Sequence, residues 1–113
     1  MSLESLFNVF SDERGLAHFS FANADLHNRQ NAAIQKKYNR SLPYYILDPL
    51  PVGSARINWL QTHAQLHSFT NTLLGIASND LSDLDFNDPR QVASWVWLHA
   101  QEHLQASNKL GVA

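Results

Sequence analysis

Trp59-Leu60-Gln61-Thr62-His63-Ala64-Gln65-Leu66-His67, closed by Leu74-Gly75-Ile76, decides how this chain is read. The same arrangement returns as Trp95-Val96-Trp97-Leu98-His99-Ala100-Gln101-Glu102-His103 with Leu110-Gly111-Val112. Each residue of the shared pattern W-x3-H-A-Q-x-H-x6-L-G-[IV] recurs at one fixed offset, 95 following 59 as 111 follows 75. A constant offset of this kind marks a repeated supersecondary unit. A fainter echo lies upstream, where Leu26-His27-x3-Asn31-x2-Ile34 parallels Leu66-His67-x3-Asn71-x2-Leu74.

The local chemistry makes the repeat helical. In the last copy Asp88 is a helix cap, Pro89 suits the first helical position with φ already set, and Gln91 stands where a capping box needs it. Val92, Trp95, Val96, His99, His103, Ala106 and Leu110 then recur at helical spacing, and Gly111 can take the positive φ that ends a helix near Lys109. The first copy runs from Gly53-Ser54 to Gly75, with Ile57, Leu60, Ala64, His67, Asn71 and Leu74 on one stripe. Asn23 caps a third helix over about 24–38, whose apolar face is Leu26, Ala33, Ile34 and Tyr38. Leu42 to Pro51 carries Pro43, Pro49 and Pro51, which rule out a regular helix and predict an extended crossover. Residues 77–88 are rich in Asn, Asp and Ser and read as a polar loop.

The expected fold is therefore all-α: a small helical bundle with a repeated Trp/His hairpin and extended N-terminal and Pro-rich segments. Residues 1–22 form an arm or short helix, and 23–113 the helical domain, with repeats near 55–76 and 89–112. The chain of 113 residues suits one domain with a modest core. Eight basic against ten acidic residues give no field for a phosphate backbone, so nucleic acid is not an expected partner. No apolar run is long and unbroken enough to span a bilayer, and no export signal precedes the first helix. The absence of cysteine leaves stability to packing and removes thiolate metal sites.

His63/His67 and His99/His103 are two i,i+4 pairs, each placing both imidazoles on one helix face, as a metal ligand pair requires. The competing account is a buried polar network in which imidazoles bond to one another, to Asn71, to Gln65 and Gln101 or to backbone carbonyls; it is favoured because His67, His99 and His103 share their stripe with Leu and Val and no Asp or Glu on these helices clearly completes a ligand set. His99-Ala100-Gln101-Glu102-His103 also spells the H-x-x-E-H string of inverted zinc proteases. The string stands alone, with no further ligand or cleft in view, and the Glu-x-x-His pairs of ferritin-like bundles are missing. The acids of 78–88 lack the central Gly and closing Glu of a calcium loop. No glycine-rich phosphate cradle or nucleophile elbow occurs, so no catalytic residues and no cofactor are expected.

Trp59 and Trp95 occupy equivalent repeat positions and are assigned to packing, whereas Trp97 projects about 200° away from Trp95 and suits an interface. Leu3, Phe7 and Phe10 share a helical face near the N-terminus and, with Tyr44 and Tyr45 of the Pro-rich segment, complete the expected contact surface. The H-x3-H and L-H-x3-N helices, the Asp80-Leu81-Ser82-Asp83-Leu84-Asp85 segment and the closing L-G-[IV] resemble small helical structural proteins of tailed bacteriophages, over about half of the chain. That resemblance implies a non-enzymatic structural or assembly subunit, located in a virion or in host cytoplasm before assembly, contacting copies of itself or other virion subunits. The alternatives are a metal-binding helical protein using His63, His67, His99 and His103, and a small cytoplasmic adaptor or regulatory domain.

Overall fold

The computed structural model describes residues 2–11, 21–39, 54–76, 85 and 87–111, with the side chains of 21–24 and 54–57 outside that description. Its elements are α1 (Leu3–Phe10), α2 (Phe21–Tyr38), α3 (Ser54–Leu74) and α4 (Pro89–Leu110), with no strand among the described residues. The all-α expectation holds. The Pro-rich crossover with Tyr44 and Tyr45, and most of the polar loop at 77–88, lie outside the described residues.

The helix ends follow from side-chain chemistry. Ser2 caps α1 in a reciprocal box with Ser5, each hydroxyl accepting the other residue's backbone N–H at 3.1 Å. Asp88 accepts the Arg90 N–H at 3.0 Å and Pro89 opens α4, as its sequence predicts. Gln91 departs from the expected capping box: its Oε1 accepts the Asp85 N–H at 2.6 Å, drawing the preceding turn onto the helix, and its Nε2 donates to the Asp88 carboxylate at 3.4 Å in place of a bond to the Asp88 N–H. Gly75 and Gly111 both sit at φ 71°. At Gly75 the bonds Ile76 N–H to Asn71 O (3.0 Å) and Gly75 N–H to Thr72 O (3.3 Å) form a Schellman ending. Helix α2 begins at Phe21, ahead of the cap expected at Asn23, and stops at Asn39, which takes the left-handed region at φ 55°.

Helix α4 is the hub, packed against each of the other three helices. Two apolar layers flank its middle. Toward its N-terminus, Val92, Trp95, Val96 and Ala100 join Leu60 and Ala64 of α3, Leu26 of α2, and Leu6 and Phe10 of α1. Toward its C-terminus, Ala106 joins Ile34 and Leu74, with Tyr38, Leu73, Ile76 and Leu110 around them. The N-terminal segment is thus a short helix that buries Leu6 and Phe10 against the bundle. Phe10, assigned to an external interface from sequence, is 1% exposed and part of the core. Its i,i+4 relation to Leu6 gives an eight-residue helix the one apolar stripe it can offer α4, and that stripe is consumed within the chain.

Candidate metal centre

Between the two apolar layers lies a polar one centred on five imidazoles. Along α2 the order is Leu26, then His27 and Gln30, then Ile34; along α4 it is Val96, then His99, Glu102 and His103, then Ala106. Helix α3 supplies His63 and His67 from between Leu60 and Leu74. None of the five histidines is more than 4% exposed, and Glu102 is 1% exposed. His18, the sixth histidine of the sequence, lies outside the described residues.

The Nε2 atoms of four imidazoles form a chain of close approaches. His67 meets His63 at 2.9 Å, His63 meets His99 at 3.3 Å and His99 meets His103 at 3.0 Å. The middle contact joins equivalent positions of the two repeats, and the outer contacts are the two i,i+4 pairs. Trp59 stacks on His63 (centroids 4.7 Å apart, planes 9° apart) as Trp95 stacks on His99 (4.8 Å, 16°). Both repeats thus use a tryptophan one turn upstream to fix the first imidazole. Phe10 closes the layer from α1, its ring 4.3 Å from that of His99 and 4.9 Å from that of His103.

Hydrogen bonds at the opposite ring nitrogens fix two tautomers. Gln30 Nε2 donates to the main-chain carbonyl of His103 at 3.1 Å and to the Ser107 hydroxyl; a carbonyl only accepts, so the other end of the amide is its oxygen. The His103 Nδ1–H therefore donates to Gln30 Oε1 at 2.7 Å, leaving a lone pair on Nε2. The His67 Nδ1–H donates to Glu102 Oε2 at 2.9 Å, again leaving Nε2 as a lone pair.

That assignment strains the neutral chain of four. With lone pairs at both ends, His63 and His99 can each give one proton outward, but their own 3.3 Å contact then sets proton against proton. If either ring takes the other tautomer, lone pair faces lone pair at an outer contact. With Glu102 ionised, no arrangement of neutral imidazoles satisfies all three approaches. His99 Nδ1 is moreover buried without a hydrogen-bond partner, as is the indole Nε1 of Trp95. Protonation does not relieve the cluster: burial, reinforced by the neighbouring imidazoles, holds His67, His99 and His103 well below the usual histidine range, and burial with His27 beside it lowers His63 to about 3.

A cation offers relief, because the lone pairs of His63, His67 and His99 can point at the ion instead of at one another. Four nitrogens set tetrahedrally at about 2.0–2.1 Å from a metal lie roughly 3.3–3.4 Å apart, the spacing of the His63–His99 contact, while the His67–His63 contact of 2.9 Å would open by a few tenths of an ångström. Among the described residues, His27, His63, His67 and His99 form a set of potential ligands, one nitrogen from each lying within 4.8 Å of all the others. The fit is to an ion that prefers imidazole, such as zinc, copper, iron or nickel, since hard cations select oxygen.

The structure brings together His63, His67, His99 and His103, the set of the alternative metal-binding reading, and the donor group whose nitrogens all lie within 4.8 Å of one another contains His27 of α2 in place of His103. The only prior signal for His27 was the faint Leu-His-x3-Asn echo. Gln30 was missed, and Glu102 was legible only as part of the H-x-x-E-H string, while Gln65 is exposed and Gln101 only partly buried. The amide and carboxylate beside the imidazoles come from Gln30 and Glu102 instead. In the H-x-x-E-H string Glu102 turns its carboxylate to His67 of the neighbouring helix. Of the expected interface residues, Leu3 and Phe7 are half-buried against the core, and Trp97 is 37% exposed with its ring 5.3 Å from that of Phe7.

Comparison of the chain with protein-family models, with curated proteins and with solved structures finds no match.

Proposed function

We propose that this is a metal-binding helical protein in which one late first-row transition-metal ion, held by imidazoles of α2, α3 and α4, ties the bundle together. The observation that carries the reading is the convergence of four buried histidine nitrogens, from His27, His63, His67 and His99, within 4.8 Å of one another. Burial of every donor points to a structural ion, because a catalytic site keeps a position open to substrate. Such an ion contributes directly to folding free energy, since the ligands come from three separate helices.

The test is the metal content of the untagged protein purified without added metal, followed by a zinc or cobalt titration of the chelator-treated chain. About one ion per chain, a higher melting temperature on reloading, and loss of both in His63→Ala and His99→Ala support the reading. A wild-type chain that stays metal-free and whose melting temperature does not respond to zinc, cobalt, copper, nickel or iron overturns it.

A second reading is a structural or assembly subunit working through protein contacts, and it is compatible with the first. It is favoured by two aromatics exposed among the described residues: Trp97, with Phe7 at its edge, and Phe69 of α3, which is 61% exposed. A small domain whose interior is held by an ion can devote its outer aromatics to partners.

A further inference from the structure

We infer that Glu102 is the positioning residue of the metal centre: acting through His67, it sets the ligating tautomer and supplies the negative charge that makes the buried layer a site for a divalent ion. The inference rests on the metal-binding reading above and goes beyond it by assigning a role to a residue outside the ligand set.

Glu102 lies one position before His103 on α4, yet its carboxylate crosses to α3 and accepts the His67 Nδ1–H at 2.9 Å. Both groups are buried, at 0% and 1% exposure of their side chains. A carboxylate in a layer of imidazoles that burial keeps neutral carries a large desolvation cost. A carboxylate–imidazole–metal arrangement gives the cost a purpose. The carboxylate holds the ring in the orientation that turns Nε2 to the ion, raises the basicity of that nitrogen, and lowers the net charge of a divalent centre from +2 to +1. Gln30 orients His103 by the same geometry without charge. The two repeats thus end on one anionic and one neutral partner, although His67 and His103 are equivalent in sequence.

Two consequences of opposite sign separate this role from ordinary packing. Glu102→Gln keeps the shape and can still accept the His67 Nδ1–H, but it removes the buried charge. The metal-free variant should melt at the wild-type temperature or above it, because an anion in an apolar interior has been replaced by an isosteric neutral group. Its affinity for zinc and cobalt should fall about 10- to 100-fold, the usual effect of removing a partner behind a ligating histidine.

The experiment pairs thermal melts of the chelator-treated wild type, Glu102→Gln and Gln30→Glu with cobalt(II) titrations read by visible absorption, and with zinc affinities measured by competition. The expected result is weakened binding and a shifted cobalt spectrum in Glu102→Gln without loss of metal-free stability. Gln30→Glu, which places a second carboxylate behind His103, should cost metal-free stability and retain cobalt. Equal zinc affinity and an unchanged cobalt spectrum in Glu102→Gln overturn the assignment while the metal centre stands. So does a fall in metal-free melting temperature large enough to account for the weaker binding. If the wild type itself binds neither zinc nor cobalt, the metal-binding reading fails and the Glu102 assignment falls with it.

Discussion

Four imidazoles held far below their ordinary pKa give the individual residues a shared pH signature. His63, His67, His99 and His103 are neutral in the fold and titrate near 6.5 when the chain unfolds, so below that pH the unfolded chain binds more protons. Their lowered folded pKa values therefore contribute stability that is fully present above about pH 6.5 and is lost as pH falls toward the folded values, about 3 for His63. Each contributes a slope of up to about 1.4 kcal/mol per pH unit within that window. The urea midpoint of the metal-free protein should fall steeply from pH 7 to pH 5; a midpoint constant over that range would show that the imidazoles are not buried neutral. Bound metal accentuates the trend, since protons compete for the same nitrogens. At this scale the sequence made the i,i+4 pairs legible, because spacing alone puts both rings on one face. It did not show that Glu102 reaches the other repeat, since the target of a side chain depends on which helix is set opposite.

Helix α1 shows what an element gains only from its neighbours. Eight residues are too few to be helical alone, even with the Ser2–Ser5 box at one end. Leu6 and Phe10 make it persist by entering the layer formed by Trp95, Val96 and Leu26, and Phe10 at the same time covers His99 and His103. Phe10→Ala should cost about 3–5 kcal/mol, the usual loss for a buried phenylalanine, as measured by denaturant unfolding. Removing the ring also uncovers the imidazoles, so metal loss to a chelator should accelerate. Wild-type stability in this variant would place Phe10 outside the core. The helix ends were readable one by one: Asp88-Pro89 at a start, Gly75 and Gly111 at stops, each because a local bond or a φ angle demands that residue type. The start of α2 was not, for Asn23 has the chemistry of a cap and the helix nevertheless begins earlier, at Phe21.

For the whole molecule, the internal repeat becomes a layered interior, apolar then imidazole then apolar, with α4 at its axis. Among the described residues that arrangement leaves Trp97 and Phe69 as exposed aromatics, with the partly buried Phe7 against Trp97. If the chain assembles with copies of itself, Trp97→Ala and Phe7→Asp should shift the mass measured by light scattering toward the monomer while leaving metal content unchanged. A wild type that is monomeric at every concentration tested would remove self-assembly as the use of this surface.

The sequence by itself determined that the chain is helical, where two helices begin and end, and that Trp59/His63/His67 and Trp95/His99/His103 are equivalent. Those features depend on periodicity, caps and φ preferences within a few consecutive residues. Only the tertiary structure decided that His27 belongs with the histidines of the repeat, that Glu102 and Gln30 fix His67 and His103, and that Phe10 is interior. Each of those facts joins residues on different helices, and the convergence of their nitrogens is a property of how α2, α3 and α4 are packed, which no local pattern encodes.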